Sequence, residues 1–237
     1  MPTPRWSLAV AVVDGILYAI GGGKSGFTNT EYNTVEAYDP KSNTWTTKTA
    51  MPTTRCCMAS GVIDGLIYIA GGIRTVGHGG FEPFSTLEVY DPKTDSWTTK
   101  APMPAARRGA AAGVVAGRLY VAGGIRGSPG STPPTVEAYD PKTNSWSSEA
   151  DMLTPRASAA AGVVHGTLYV VGGGYVPVLA VNEAFTLAPD LALTKTVAPD
   201  SAPRRITSRV MVSAPPACGA RVMVPAGMTM VSPGAAA

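Results

Sequence analysis

Two histidines, His78 and His165, are all the imidazole this chain carries, so acid–base and metal chemistry have little to work with. His165-Gly166 occupies the place held by Asp14-Gly15, Asp64-Gly65 and Ala116-Gly117 between two short apolar runs, which makes His165 a turn residue. His78 sits in Gly77-His78-Gly79-Gly80 and reads as a solvated loop residue. Cys56 and Cys57 are adjacent and Cys218 is remote, which gives neither a zinc spacing nor a disulfide framework. The adjacent pair reads as an apolar strand start rather than a reactive thiol. No cofactor, metal or catalytic residue is therefore assigned. The remaining candidates recur: Glu36, Glu88 and Glu137 fall at one position of a repeating pattern, as do Arg5, Arg55, Arg107 and Arg156. Recurrence points to scaffold duty, with the arginines pairing and packing between units.

The pattern that positions them has a period near 50. Tyr-x-x-Gly-Gly appears four times, ending in Gly21-Gly22, Gly71-Gly72, Gly123-Gly124 and Gly172-Gly173. The tyrosines Tyr18, Tyr68, Tyr120 and Tyr169 follow one another at intervals of 50, 52 and 49, and each repeat arginine stands 17 residues before its second glycine. Between arginine and glycines lie two apolar runs split by a dipeptide such as Asp-Gly, the signature of a hairpin with positive φ at both turn residues. The first run is rich in Ala, Gly and Val, with Ala11, Gly61, Gly113 and Gly162 in register, as suits a strand crowded near a central axis. Three units continue with Val35-Glu36-Ala37-Tyr38, Leu87-Glu88-Val89-Tyr90 or Val136-Glu137-Ala138-Tyr139, then Asp-Pro-Lys, then Trp45, Trp97 or Trp146 seven residues after the tyrosine. Pro presets φ and the following Asn or Asp tolerates a left-handed residue, so each unit is a four-stranded antiparallel meander. A lone sheet cannot bury both faces, so successive sheets stack around an axis as the blades of a propeller, the Tyr and Trp side chains filling the gaps between them.

Met-Pro-x-x-Arg, Asp-Gly, Tyr-x-x-Gly-Gly, Val-Glu-x-Tyr-Asp-Pro and Trp, in that order, resemble the kelch repeat over residues 1–187, with units at about 4–50, 54–102, 106–151 and 155–187. The resemblance implies an all-β, kelch-type propeller. Typical members close with five to seven blades, so about 3.5–4 blades leave the ring incomplete. If each open face exposes on the order of 400 Å², roughly 10 kcal/mol of burial is forgone per face. A fragment, a degenerate product or a homo-oligomer that completes the ring is expected. Unit four decays: Val181-Asn182-Glu183-Ala184-Phe185 echoes the third strand, and Leu193 stands roughly where Trp is due. Residues 188–237 read as a degenerate Ala- and Pro-rich tail, with Pro203-Arg204 a faint echo of a fifth unit.

Scaffold repeats and specificity does not, so the differing loops after the glycine pairs are the place for a partner. In an up-and-down meander they emerge at the same end as the Met-Pro-x-x-Arg connections, opposite the tight Asp-Gly and Asp-Pro-Lys turns. That end carries Lys24, Phe27, Tyr32, Arg74, His78, Phe81, Glu82, Phe84 and Arg126, with Arg108 beside a repeat arginine. Aromatics mixed with Arg suit a protein-binding surface. The leading reading is a non-catalytic scaffold that binds another protein. The alternative that the resemblance admits is a truncated carbohydrate-acting propeller enzyme, sialic-acid mutarotase-like or galactose oxidase-like; copper chemistry of the latter kind would need more histidines.

Charge excludes other partners. The net charge is +3, yet residues up to Leu187 carry 14 basic and 14 acidic side chains. A neutral repeat region does not suit nucleic acid, which demands clustered Lys and Arg. No apolar run of about 18 residues is present to span a membrane, and Met1-Pro2-Thr3-Pro4-Arg5-Trp6 has no signal-peptide pattern. If Met1 is the true start, the cytoplasm is the expected compartment.

Overall fold

The computed structural model describes residues 1–24, 31–76, 80–127, 130–174, 181–186 and 194–197. Within them every regular element is a strand. The first sheet runs β1 (Ala9–Val13), β2 (Ile16–Ile20), β3 (Val35–Asp39), β4 (Thr44–Lys48). In the second unit β5 (Ala59–Ile63) and β6 (Leu66–Ala70) are followed by a small hairpin, β7 (Ile73–Val76) with β8 (Gly80–Pro83), before β9 (Leu87–Asp91) and β10 (Ser96–Lys100). The third is β11 (Ala111–Val115), β12 (Arg118–Ala122), β13 (Val136–Asp140) and β14 (Ser145–Ser148); the fourth is β15 (Ala160–Val164), β16 (Thr167–Val171), β17 (Asn182–Thr186) and β18 (Thr194–Val197). Each sheet is an antiparallel meander, so the chain builds four blades of an all-β propeller.

The turns have the backbone their residues were chosen for. Asp14, Asp64, Ala116 and His165 have φ of 49–51° and the glycines after them 73–80°, the primed turn that matches strand twist. Asn43, Asp95 and Asn144 take the left-handed place after Asp-Pro-Lys, at 50–54°. In the fourth blade β18 lies beyond residue 187, and the residue opposite Phe185 is Lys195. Leu193, expected there, falls outside the described residues; Phe185 and Lys195 are ten residues apart, against seven for Tyr38 opposite Trp45, Tyr90 opposite Trp97 and Tyr139 opposite Trp146. Pro203-Arg204 and most of the tail are likewise outside them.

The core sits between blades. Innermost strands β1, β5, β11 and β15 lie side by side in that order, and the first and fourth blades make no comparable contact among the described residues. Side chains at Ala9, Ala11 and Val13 point toward the next blade and those at Val10 and Val12 away from it; of these five only the outward pair is exposed. Glycines in the first strand admit the next blade's side chains: a Cβ on Gly113 would stand 2.5 Å from Leu168 and 2.9 Å from Val163, and one on Gly61 2.7 Å from Leu119 and 2.8 Å from Val114. Aromatic rings meet across the first two seams. Tyr18 meets Tyr90 and Tyr68 meets Tyr139, both at 5.9 Å between centroids, while Tyr90 and Tyr139 rest on Trp97 and Trp146.

The repeat arginines hold the fold in two directions at once. Their side chains turn back into their own blade, not across to a neighbour, as four buried ion pairs: Arg5 with Glu36, Arg55 with Glu88, Arg107 with Glu137 and Arg156 with Glu183. Arg55 also donates to the carbonyls of Gly71, Ile69 and Thr86. Burial pulls its guanidinium down to about 10, against the raising pull of Glu88, so it stays charged at neutral pH. Their backbone carbonyls do the inter-blade work. Arg55, Arg107 and Arg156 accept from Gly22, Gly72 and Gly124 of the preceding blade at 2.9–3.1 Å. This is why two glycines are needed: at Gly71, with φ of 64°, a Cβ would lie 2.5 Å from the Arg107 carbonyl.

Candidate functional site

The four ion pairs, one per blade, fix the ends of each blade's second and third strands, and so fix where the intervening loop leaves the blade. Immediately after the first three glycine pairs the chain forms a short antiparallel bridge to the residue after its own repeat arginine: Trp6 with Gly23, Cys56 with Ile73 and Arg108 with Ile125. The differing loops therefore rise from one rigid end, opposite the tight turns.

Three of the expected site residues come together on the β7–β8 hairpin. Arg74 pairs with Glu82 at 2.5 Å, both side chains about half exposed, and its guanidinium carbon stands 5.7 Å from the Phe84 ring centre. Phe84 is anchored by its backbone, donating to Gly72 and accepting from Arg107. The hairpin reaches both neighbours. Toward the third blade, Arg108 lies over the Phe81 ring at 4.8 Å, a cation–π contact, and Phe81 keeps 39% of its surface exposed. Toward the first, Glu31 accepts from the Thr75 hydroxyl at 2.6 Å and its N–H at 3.1 Å. The loop ends of blades one, two and three are thus linked.

The other expected residues differ in character. Lys24 is exposed, its carbonyl taking the Trp6 indole N–H at 2.8 Å. Tyr32 is half-buried and acts through its backbone, donating to Gly22 and accepting from Arg55. Arg126 folds inward, donating to Thr135 at 2.9 Å and Glu137 at 3.2 Å, so it shares the carboxylate of the buried Arg107 pair. Phe27 and His78 lie outside the described residues. Glu31, Thr75 and Trp6 were not singled out from sequence. Trp6, Cys56 and Arg108 all follow a repeat arginine, so aligning that one position by repeat would have flagged it as variable. Lys24, Arg74 and Arg126 likewise share one repeat position, two residues past the second glycine.

Chemically the site offers contact and charge. Glu36, Glu88, Glu137 and Glu183 each hold a repeat arginine, and burial pushes the Cys56 thiol up to about 12, which leaves it protonated and unreactive. Among the described residues no cluster of three or more His, Cys, Asp or Glu could hold a metal ion. Nor is any helix among them long and apolar enough to cross a membrane.

Comparison with known proteins agrees with this architecture. The family described as KLHDC2/KLHL20/DRC7 Kelch-repeats domain matches residues 1–124, more than half of the chain, and the Kelch motif matches residues 106–153. The F-box/kelch-repeat protein At1g22040 of Arabidopsis thaliana is 32% identical over 101 residues, 43% of this chain and 20% of that protein. Kelch-like protein 35 of Mus musculus is 28% identical over 123 residues, 51% of this chain and 20% of that protein. Each match thus spans a fifth of the relative's length. Among solved structures, that of YjhT superposes with a TM-score of 0.71 at 21% identity, over 85% of this chain and 67% of that one, a likeness of fold.

Proposed function

Because the chain belongs to the kelch-repeat family, whose members commonly bind other proteins, we propose that it is a non-catalytic scaffold that binds a protein partner through the loop end of its blades. The observation that carries this reading is the linked rim of Glu31, Thr75, Arg74, Phe84, Phe81 and Arg108, spread over three blades and held on a buried frame. An exposed aromatic flanked by guanidinium groups on a rigid base loses little entropy on binding and is the usual kind of anchor at protein interfaces. The four repeat carboxylates, Glu36, Glu88, Glu137 and Glu183, are committed to the repeat arginines.

The test is comparative capture from cells by the intact chain, Phe81→Ser with Lys24→Glu at the loop end, and Lys41→Glu with Lys93→Glu at the turn end. Partners lost with the loop-end variant and kept with the turn-end variant support the reading. Equal loss from both, or equal retention, overturns it.

A further inference from the structure

The two open faces of this four-blade arc are complementary to each other. At two of the three internal seams a first-strand glycine forms a hole that takes a Val and a Leu from the next blade, Gly61 taking Val114 and Leu119 and Gly113 taking Val163 and Leu168, while Ala11 holds the position at the first seam. Gly162, the same position in the fourth blade, has none of the described residues within 4 Å of where its Cβ would be. The knobs that correspond to Val114 and Leu119 are, on the first blade, Val12 and Leu17. Val12 is 56% exposed and Leu17 only partly buried, although the later leucines are at most 1% exposed.

Polar groups repeat the mismatch. Gly22, Gly72 and Gly124 each donate to the arginine carbonyl of the following blade. Among the described residues the Gly173 N–H has no such acceptor and the Arg5 carbonyl no such donor. Trp97 and Trp146 donate their indole N–H to Thr49 and Ala101 of the preceding blade, whereas the Trp45 indole has no acceptor among the described residues.

A hole, a backbone donor and an apolar edge at one end match knobs, a backbone acceptor and an indole at the other. We propose that the outer face of the first blade docks on the outer face of the fourth blade of a second copy of this chain, head to tail, with the geometry of the internal seams. Such a contact joins two different patches, so it closes into a ring only if the rotation returns. Two copies of four blades give about eight, the upper end of the usual propeller range.

The contact is tested on the full chain by sedimentation velocity across a concentration series, with circular-dichroism melts to confirm folding. Species at twice the 24.3 kDa chain mass, or longer head-to-tail oligomers, are expected. Gly162→Leu fills the hole without meeting any atom of the described residues within 4 Å of the new Cβ, and Val12→Asp spoils the knob at an already exposed position. Each should raise the dissociation constant on the order of 100-fold, as for central interface contacts. Mixing the two variants should restore a heterodimer, because each keeps the face the other has lost. A wild-type monomer at all concentrations overturns the proposal, as does an oligomer indifferent to Gly162→Leu or a mixture that fails to associate. None of these outcomes depends on the loop-end partner.

Discussion

Arginine and glutamate are paired in two regions of this molecule to opposite effect. In the blade frame, Arg55 and Glu88 are at most 2% exposed and each makes further hydrogen bonds, including the Thr53 hydroxyl to Glu88 at 2.6 Å. On the rim, Arg74 and Glu82 meet at a shorter distance but with about half of each side chain in water. The buried pair recurs in every blade, and among the described residues the rim pair occurs in one. Water and salt screen the rim pair, so it is free to vary and to exchange its partner for another protein's side chain. The frame pair cannot vary, because removing either member strands a charge in the interior.

Glu88→Ala should break the comparison most sharply, destabilising the chain by about 3–5 kcal/mol in urea unfolding as Arg55 loses its counter-charge. Next comes Gly71→Ala, expected to cost about 1–3 kcal/mol because its φ of 64° and the Arg107 carbonyl leave no room for a Cβ. Gly162→Ala, with open space around it, should stay within about 0.5 kcal/mol. Alkaline titration reads the seams themselves. Burial pushes the Tyr139 hydroxyl up to about 12 from its ordinary 10.0. Its folded value being raised, stability is full below about pH 10 and falls as pH climbs from about 10 to 12, measurable as a falling melting temperature over that window. A flat profile would mean that Tyr139 is not sealed between blades. Trp97→Phe should cost about 1 kcal/mol for the lost seam hydrogen bond, and Trp45→Phe less in the monomer because its indole has no acceptor among the described residues. Smallest of all, Glu82→Ala should change stability by about 0–1 kcal/mol; a larger loss would make the rim part of the frame.

Much of the frame was legible because each of its features is local. The Asp14-Gly15 turn is written in two residues whose backbone preferences are intrinsic, and the seven-residue Tyr-to-Trp spacing is a turn length. The candidate site was legible only as a set of loops. That Phe81 meets Arg108, or that Arg126 turns inward to Glu137 while Lys24 stays in water, depends on contacts between residues 11 to 27 apart, which no single window records.

By itself the sequence determined the repeat, its four-stranded unit, the glycines that need positive φ and the residue types of the frame, since these follow from steric limits acting over a few residues. Only the tertiary structure decided that each repeat arginine sends its guanidinium into its own blade and that Arg55, Arg107 and Arg156 give their carbonyls to the blade before. It also decided that Lys195 ends up opposite Phe185, and that the first and last blades keep complementary faces open. Those outcomes depend on which surfaces are brought together by stacking, and burial, unlike a turn, is a property of neighbours distant along the chain.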